Sequence, residues 1–500
     1  MESHTQRRRG TEVLEFILIF HCLSASVCKF PAPPVARQSP ASYTMPANMT
    51  DPRDIIAKSP MSAMQMAIVG ITIALNALDG FDVLSISFAS PGIAAEWKID
   101  RGALGFVLSM ELFGMALGSI FLGSLADKIG RRPTVLGCLV VMATGMVMVT
   151  TSTGYLGGLV TPLFALFGVH VDVRLADLSV WRIITGLGIG GMLAAINAVV
   201  AEFSNTRRRD LNVAIMSIGY PVGAAAGGFI TSTGLTLAEW RSVFYFGAAV
   251  TLTMIPTVFF LMPESVHWLA RKQPAGALDR INRTLKRLGH QTVAALPAVS
   301  ADMRKRSTAD IFKPGLLATT VLVTAAYFFH ITTFYYIVKW VPKIVVDMGF
   351  APSSAGYVLS WLNVGGATGG TVLGLLSMRY SVKGLTIGVM LLSTIAVILF
   401  GRSPADLMQL TLICMVAGFC TNASITGMYA IFAKAFPTHV RASGTGFAVG
   451  VGRGGSVLAP IIAGFLFAAG YSLPTVSLLM GLGSLLAAGV LLNLRVEEGK

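Results

Sequence analysis

Charge is what this sequence of 500 residues has least of: Asp, Glu, Lys and Arg together make up 12% of it, against 54% hydrophobic residues. A water-soluble fold built from that mixture has too little polar surface to cover its apolar area, so a soluble enzyme or soluble binding module is excluded. Cysteine is scarce as well. Of the five, Cys22 and Cys28 lie near the start and Cys138, Cys414 and Cys420 lie inside apolar runs, a spacing that offers neither a disulfide framework nor a metal site. Constellations of nucleophile and base, of metal ligands or of a phosphate-binding loop are missing too, so no enzymatic role, cofactor or metal is read from the chain. Beyond the stretch 263–314 there is no room for a larger soluble domain, which argues against a membrane-bound enzyme or sensor.

What the chain does have is apolar runs of about 20 residues, the length that carries a helix across a hydrocarbon core of about 30 Å. Bounded by charge clusters and Gly/Pro breaks, they fall near 64–90, 103–126, 133–152, 178–201, 211–235, 241–262, 315–339, 353–377, 384–401, 407–432, 442–468 and 472–493. The expected fold is an all-α membrane protein with twelve transmembrane helices. Basic residues follow every second span: Lys128, Arg131 and Arg132; Arg207 to Arg209; Arg379 and Lys383; Lys434 and Arg441. Stretch 263–314 adds Arg271, Lys272, Arg280, Arg283 and others. Because such residues stay on the cytoplasmic side, both termini are expected there. The net charge of +14 then reflects topology and anionic lipid rather than nucleic-acid binding.

Residues 1–60 read as an N-terminal extension. RRR at 7–9, the run VLEFILIFHCLSASVC and FPAPPVARQSP resemble a signal peptide. The span at 64–90 can direct its own insertion, however, and the preferred reading is a start assigned too early, with Met45 or Met49 as the first residue.

Two halves are expected, 61–262 and 315–495, joined by the loop 263–314. GSLADKIGRRPTVLG at 123–137 lines up with GLLSMRYSVKGLTIG at 374–388, pairing Gly123 with Gly374, Lys128 with Arg379 and Arg132 with Lys383. A second echo pairs Phe203, Arg208 and Gly219 with Phe436, Arg441 and Gly452. Both fall at equivalent places in the two sets of six spans, as parallel repeats with a binding site between them require.

Inside the first span stand Asp79 and Asp82, the sole charged residues between Lys58 and Glu96. Each costs about 2.5–3.5 kcal/mol to insert, so a use is expected for them. Residues at i and i+3 share a helix face, and two carboxylates that close in a poorly hydrated place resist double ionisation. One of the pair is expected to hold a proton. Gly80 between them would permit a bend or close approach by a ligand.

These motifs resemble a known family. GSLADKIGRRP is similar to the signature loop between the second and third helices of the major facilitator superfamily. Arg182-Ile-Ile-Thr-Gly186-Leu-Gly188-Ile-Gly190 resembles its fourth-helix motif, and PESVHWL at 263–269 resembles the segment after its sixth helix, with His267 where arginine is usual. DGFD at 79–82, preceded by SPMSAMQ, narrows the resemblance to the aromatic acid:proton symporters. That resemblance implies two six-helix repeats, alternating access, a monomeric carrier in the bacterial inner membrane, and an aromatic carboxylate moving with protons. Asp79 and Asp82 become the proton-coupling candidates. Glu111, in SMELFGMALG, is a departure that marks a second proton site or a group facing water; Gly114 and Gly118 beside it read as a helix-packing face.

For the substrate carboxylate the resemblance favours Arg453, in VGRGGSVLAP, with Arg182 pairing acids during the proton cycle. Aromatic walls are sought in FFHITTFYYIVKW: Tyr335 and Tyr336 are candidates, with Trp361 and Asn363 of the eighth span. Trp340 beside Lys339 reads as an interfacial anchor, and His330 as a packing residue. Gly123, Asp127, Arg131, Arg132 and Glu202 form a candidate conformational latch. By the resemblance it stabilises the outward-facing state. A porter of sugars or other metabolites and a drug:proton antiporter share the loop motif and are the alternatives, although Gly219-Tyr-Pro-Val-Gly223-Ala departs from the fifth-helix pattern of drug antiporters.

Overall fold

The computed structural model describes residues 51–151, 154–166, 172–233, 239–296, 311–437 and 440–494. Everything read above from residues 1–50 lies outside them. The described residues are helical throughout their regular structure. A short α1 (Pro52–Lys58) precedes the six long helices of the first half: α2 (Ala63–Trp97), α3 (Arg101–Ile129), α4 (Arg131–Thr151), then a short α5 (Tyr155–Leu166), α6 (Val173–Phe203), α7 (Arg209–Thr233) and α8 (Arg241–Leu261). Two small helices, α9 (Val266–Lys272) and α10 (Ala277–Arg287), occupy the connecting segment. The second half comprises α11 (Pro314–Asp347), α12 (Pro352–Leu376), α13 (Val382–Arg402), α14 (Leu407–Ala435), the pair α15 (Arg441–Gly452) and α16 (Gly454–Ala468), and α17 (Leu473–Leu492).

Among the described residues, eleven spans are long and apolar enough to cross a bilayer, with α15 and α16 counted as one. The expected twelfth, α12, is long enough and uncharged, but its Ser, Gly, Thr and Asn residues dilute its hydropathy. Helix starts are set by side chains that satisfy the first free N–H groups. Ser62 and Gln65 form a capping box on α2, while Asp100 and Asp406 accept the N–H of Ala103 and Gln409 at 2.7 Å.

Glycine fixes how the long helices pair. A Cβ on Gly114 or Gly118 of α3 would lie 2.1–2.2 Å from carbonyl oxygens of α6, and one on Gly186 or Gly190 of α6 would meet α3 equally closely. The second half repeats this between α12 and α14 through Gly365, Gly369 and Gly418. Close backbone approach of this kind is how helices associate where water supplies no hydrophobic drive.

The sequence echo has a physical counterpart as well. Arg132 donates to the Phe259 carbonyl in the last turn of α8, and its echo Lys383 donates to the carbonyls of Leu492 and Leu494 at the end of α17. Each half thus closes its sixth long helix with a base at the negative end of the helix dipole.

Two expectations change. Residues 51–60 do not belong to a separate extension: Ile56 is fully buried, and the Ala57 carbonyl accepts the Thr206 N–H at 2.9 Å. The space beside Gly80 is not left for a ligand; it admits the backbone of α7, since a Cβ there would lie 1.9 Å from the Tyr220 carbonyl.

One set of contacts between the halves runs along one end. Ser360 packs on Gly228 and Ser232 on Gly356, Gly105 meets Pro460 and Gly464, and Arg101 pairs with Asp347 at 2.9 Å. All lie at the ends of α3, α7, α11, α12 and α16 opposite the Asp127–Arg131 turn.

Candidate functional site

Between the two halves, midway along the helices, lies a buried cluster of charges. Asp79 and Asp82 on α2, Glu111 on α3 and Arg182 on α6 are all fully buried, as is Lys339 on α11. Arg182 is ion-paired with Glu111, donates to the Asp82 carbonyl at 3.1 Å and lies 5.4 Å from the centre of the Phe244 ring. Lys339 Nζ stands 3.5 Å from the other Glu111 oxygen and donates to the Val83 carbonyl. All four carboxylate oxygens of Asp79 and Asp82 lack a hydrogen-bond donor. The helix therefore delivers the acidic pair to the interior, as its spacing requires, and leaves it unpartnered.

Arg453 completes the cluster. It stands where the eleventh span breaks, between α15 and α16, and donates to Ser119 Oγ of α3 at 3.1 Å. Asp79, Tyr327, Tyr335 and Tyr429 lie within its electrostatic reach. Tyr335 also neighbours Tyr220 of α7.

Other sequence candidates go elsewhere. Tyr336 is fully buried, and its hydroxyl shares a 2.7 Å hydrogen bond with Ser477 of α17, turned away from the cluster. Trp361 packs edge-on against Phe229 of α7, with ring centres 5.9 Å apart, at the seam. The Asn363 amide donates to the Leu359 carbonyl of its own helix. His330 is engaged at both nitrogens, by Ser484 and by the Thr421 carbonyl, each at 2.9 Å, and serves packing.

Trp340 and Lys339 are not interfacial anchors. Trp340 is buried with its Nε1 donating to the Pro460 carbonyl, and α11 runs on for two further turns to Asp347. Nor does Glu111 face water.

A second assembly closes the turn between α3 and α4. Gly130 takes φ +113°, which favours glycine, and a Cβ there would strike Glu264 Oε2. Arg131 donates to Asp127 at 2.8 Å and to Glu202 at 3.1 Å, and Asp127 also accepts from Arg271 at 3.0 Å. Glu264 accepts the backbone N–H groups of Arg131, Arg132 and Ser265 at 2.8–3.3 Å, capping the start of α4. Burial pushes the Glu264 carboxyl above the usual range, against the pull of those three donors. Gly123 makes room for Ala194 of α6.

Glu264, Arg271 and Trp268, which donates to the Asp127 carbonyl, were not singled out by sequence reasoning. For Glu264 and Trp268 the signal was the PESVHWL segment itself; Arg271 was read only as one of the basic residues that set topology. Among the described residues these bonds join the first half to α9 and reach no residue of the second half.

Comparison with known proteins gives a match to the family model of the Major Facilitator Superfamily over residues 72–351 and 323–500. The gallate transporter of Pseudomonas putida is 26% identical, the match covering 88% of this chain and 93% of that protein. The 4-hydroxybenzoate transporter of the same organism is 28% identical, with 82% and 87% covered. A benzoate transport protein of Acinetobacter baylyi is 26% identical, with 82% and 85% covered. Among solved structures, the inward-open xylose transporter XylE of E. coli superposes with a TM-score of 0.64 at 15% identity, covering 87% of this chain and 98% of that one. That likeness concerns the fold.

Proposed function

The chain belongs to the Major Facilitator Superfamily, and from that premise we propose that it is a secondary transporter importing aromatic carboxylates together with protons. The relatives named above carry gallate, 4-hydroxybenzoate and benzoate. One observation carries the coupling: a buried acidic pair without donors, Asp79 and Asp82, lies beside two guanidinium groups, the half-buried Arg453 near Asp79 and the buried Arg182 near Asp82. Arg453 receives the substrate carboxylate through its paired N–H groups. Tyr335 and Tyr220 border the same space and supply ring and hydroxyl contacts. Asp79 and Asp82 take up and release the proton. Tyr336 and Asn363 are set aside by their bonds, and Trp361 acts at the seam.

The protein works as a monomer in the bacterial inner membrane, with the basic Asp127–Arg131 end and both termini in the cytoplasm. In that orientation the packed ends of the two halves face outward. Gly123, Asp127, Arg131, Arg132 and Glu202, joined by Glu264 and Arg271, brace the first half during the swing between states.

The test is uptake of labelled benzoate, 4-hydroxybenzoate and gallate by proteoliposomes under an imposed pH gradient. Acid outside should drive accumulation of at least one. Asp79→Asn should abolish accumulation while retaining exchange of substrate for substrate. Arg453→Ala should raise KM by about 10–100-fold, the equivalent of one charge-assisted bond of about 1.5–3 kcal/mol. Acid-driven accumulation that survives both changes refutes the reading.

A further inference from the structure

Lys339 takes the proposed transport reading one step further, and the inference rests on that reading. Its ammonium belongs to the second half, yet both partners, the Val83 carbonyl and the Glu111 carboxylate, belong to the first. With Lys339 included, the fully or half-buried cluster holds three acids, Asp79, Asp82 and Glu111, and three bases, Arg182, Lys339 and Arg453. Tyr220, Tyr327, Tyr335 and Tyr429 border it and carry no formal charge.

We propose that Lys339 and Glu111 are a fixed counter-ion pair that balances this cluster, so that each monoanionic substrate enters with one proton, on Asp79 or Asp82, and the cycle moves no net charge.

An uncompensated ion is costly in the interior of a bilayer. Once the proton has been released, as it must be before a symporter returns empty, both aspartates are ionised and the cluster carries three negative and three positive charges, which cancel; in the loaded state one of the pair holds the proton. A monoanion adds one negative charge, and one proton cancels it. Glu111 is ion-paired with two cations, whereas among the described residues no base lies within ion-pair distance of Asp79 or Asp82. The proton therefore goes to the aspartates, and Glu111 moves from proton carrier to counter-ion. Lys339 is a positioning residue here, since it touches the balance and not the substrate.

The test holds the pH gradient fixed in proteoliposomes and varies the membrane potential with potassium and valinomycin, using labelled 4-hydroxybenzoate, benzoate or gallate, whichever the wild type accumulates. The wild type should accumulate it equally at zero and at roughly 100 mV, although one uncompensated charge would change the ratio by roughly 50-fold. Glu111→Gln leaves one positive charge in excess, admits the anion without a proton, and should make accumulation voltage-dependent and insensitive to pH. Glu111→Gln combined with Lys339→Met returns the cluster to two and two, and should restore pH-driven, voltage-insensitive uptake.

Voltage-dependent accumulation by the wild type overturns the stoichiometry and needs no variant. A double variant no better coupled than Glu111→Gln overturns the pairing. A wild type that accumulates none of the acids under a pH gradient instead removes the transport reading and this inference with it.

Discussion

Two adjacent tyrosines on α11 separate chemistry from packing. Successive residues on a helix point about 100° apart, so Tyr335 turns toward Arg453 and Tyr220 while Tyr336 bonds Ser477. Tyr336→Phe strands the Ser477 hydroxyl and should cost about 1 kcal/mol of stability, seen as a lower melting temperature in detergent with KM unchanged. Tyr335→Phe should shift KM among differently hydroxylated benzoates while the melting temperature stays put. Equal effects on both readouts would erase the distinction. From sequence, FYYIVKW gave no means of choosing between the two rings. Asp79, Asp82, Arg182 and Arg453 were legible because a charge in an apolar run needs a partner or a use. Lys339 was not, because a Lys–Trp pair near the expected end of a span looks like an anchor, and the two further turns carry Lys343 and Asp347, charges that read as a segment outside the membrane.

Among whole elements, the glycine contacts of α3 were legible and their consequence is measurable. A side chain at Gly118 would place Cβ 2.1 Å from the Leu187 carbonyl, whereas at Gly137 of α4 it would meet nothing within 4 Å. Gly118→Val should therefore cost about 1–3 kcal/mol or more through forced helix separation, lowering the yield of monodisperse protein, and Gly137→Val should not. Helix α5 lies between the spans expected at 133–152 and 178–201, and Gly157, Gly158 and Pro162 give it little helix preference of its own. Asp177 supports it by accepting the N–H groups of Leu156 and Gly157 at its start, a long-range bond invisible in local sequence.

The segment after α10 carries a pH response of its own. His290 Nε2 meets Gln65 Oε1 at 3.0 Å, and burial lowers its proton affinity. A base whose folded pKa is lowered contributes stability at pH above its unfolded value of about 6.5 and loses it as pH falls below that value. Proteolysis of the 263–314 segment should accelerate between about pH 6.5 and pH 5, and His290→Asn should flatten that dependence; an unchanged profile would count against the contact.

For the whole molecule, the repeat and the seam between its halves are what alternating access has to use. The repeat could be read from two weak echoes because each half needs the same base to close its last long helix. The seam could not, since it depends on which ends of twelve helices lie together in one state. Gly228 sits in it: a Cβ there would come within 2.2 Å of Ser360 Oγ and 2.7 Å of the Phe88 ring. An indole at that position cannot be housed while α7 and α12 remain packed, because both neighbours are held by long helices and the Ser360 hydroxyl already bonds the Gly356 carbonyl. Gly228→Trp should wedge the halves apart at that end and hold the carrier open there. Substrate binding measured on purified protein should survive, and uptake into proteoliposomes should fall below about a tenth of wild type, since a carrier held in one state cannot complete the exchange of states on which net movement depends. A cysteine at Ser360, fully buried in the packed state, reports the opening. Its labelling by a membrane-impermeant thiol reagent from outside should rise severalfold in the Gly228→Trp background. Unchanged labelling with lost uptake would mean that the tryptophan disrupts the fold locally, and the seam would then have no part in gating.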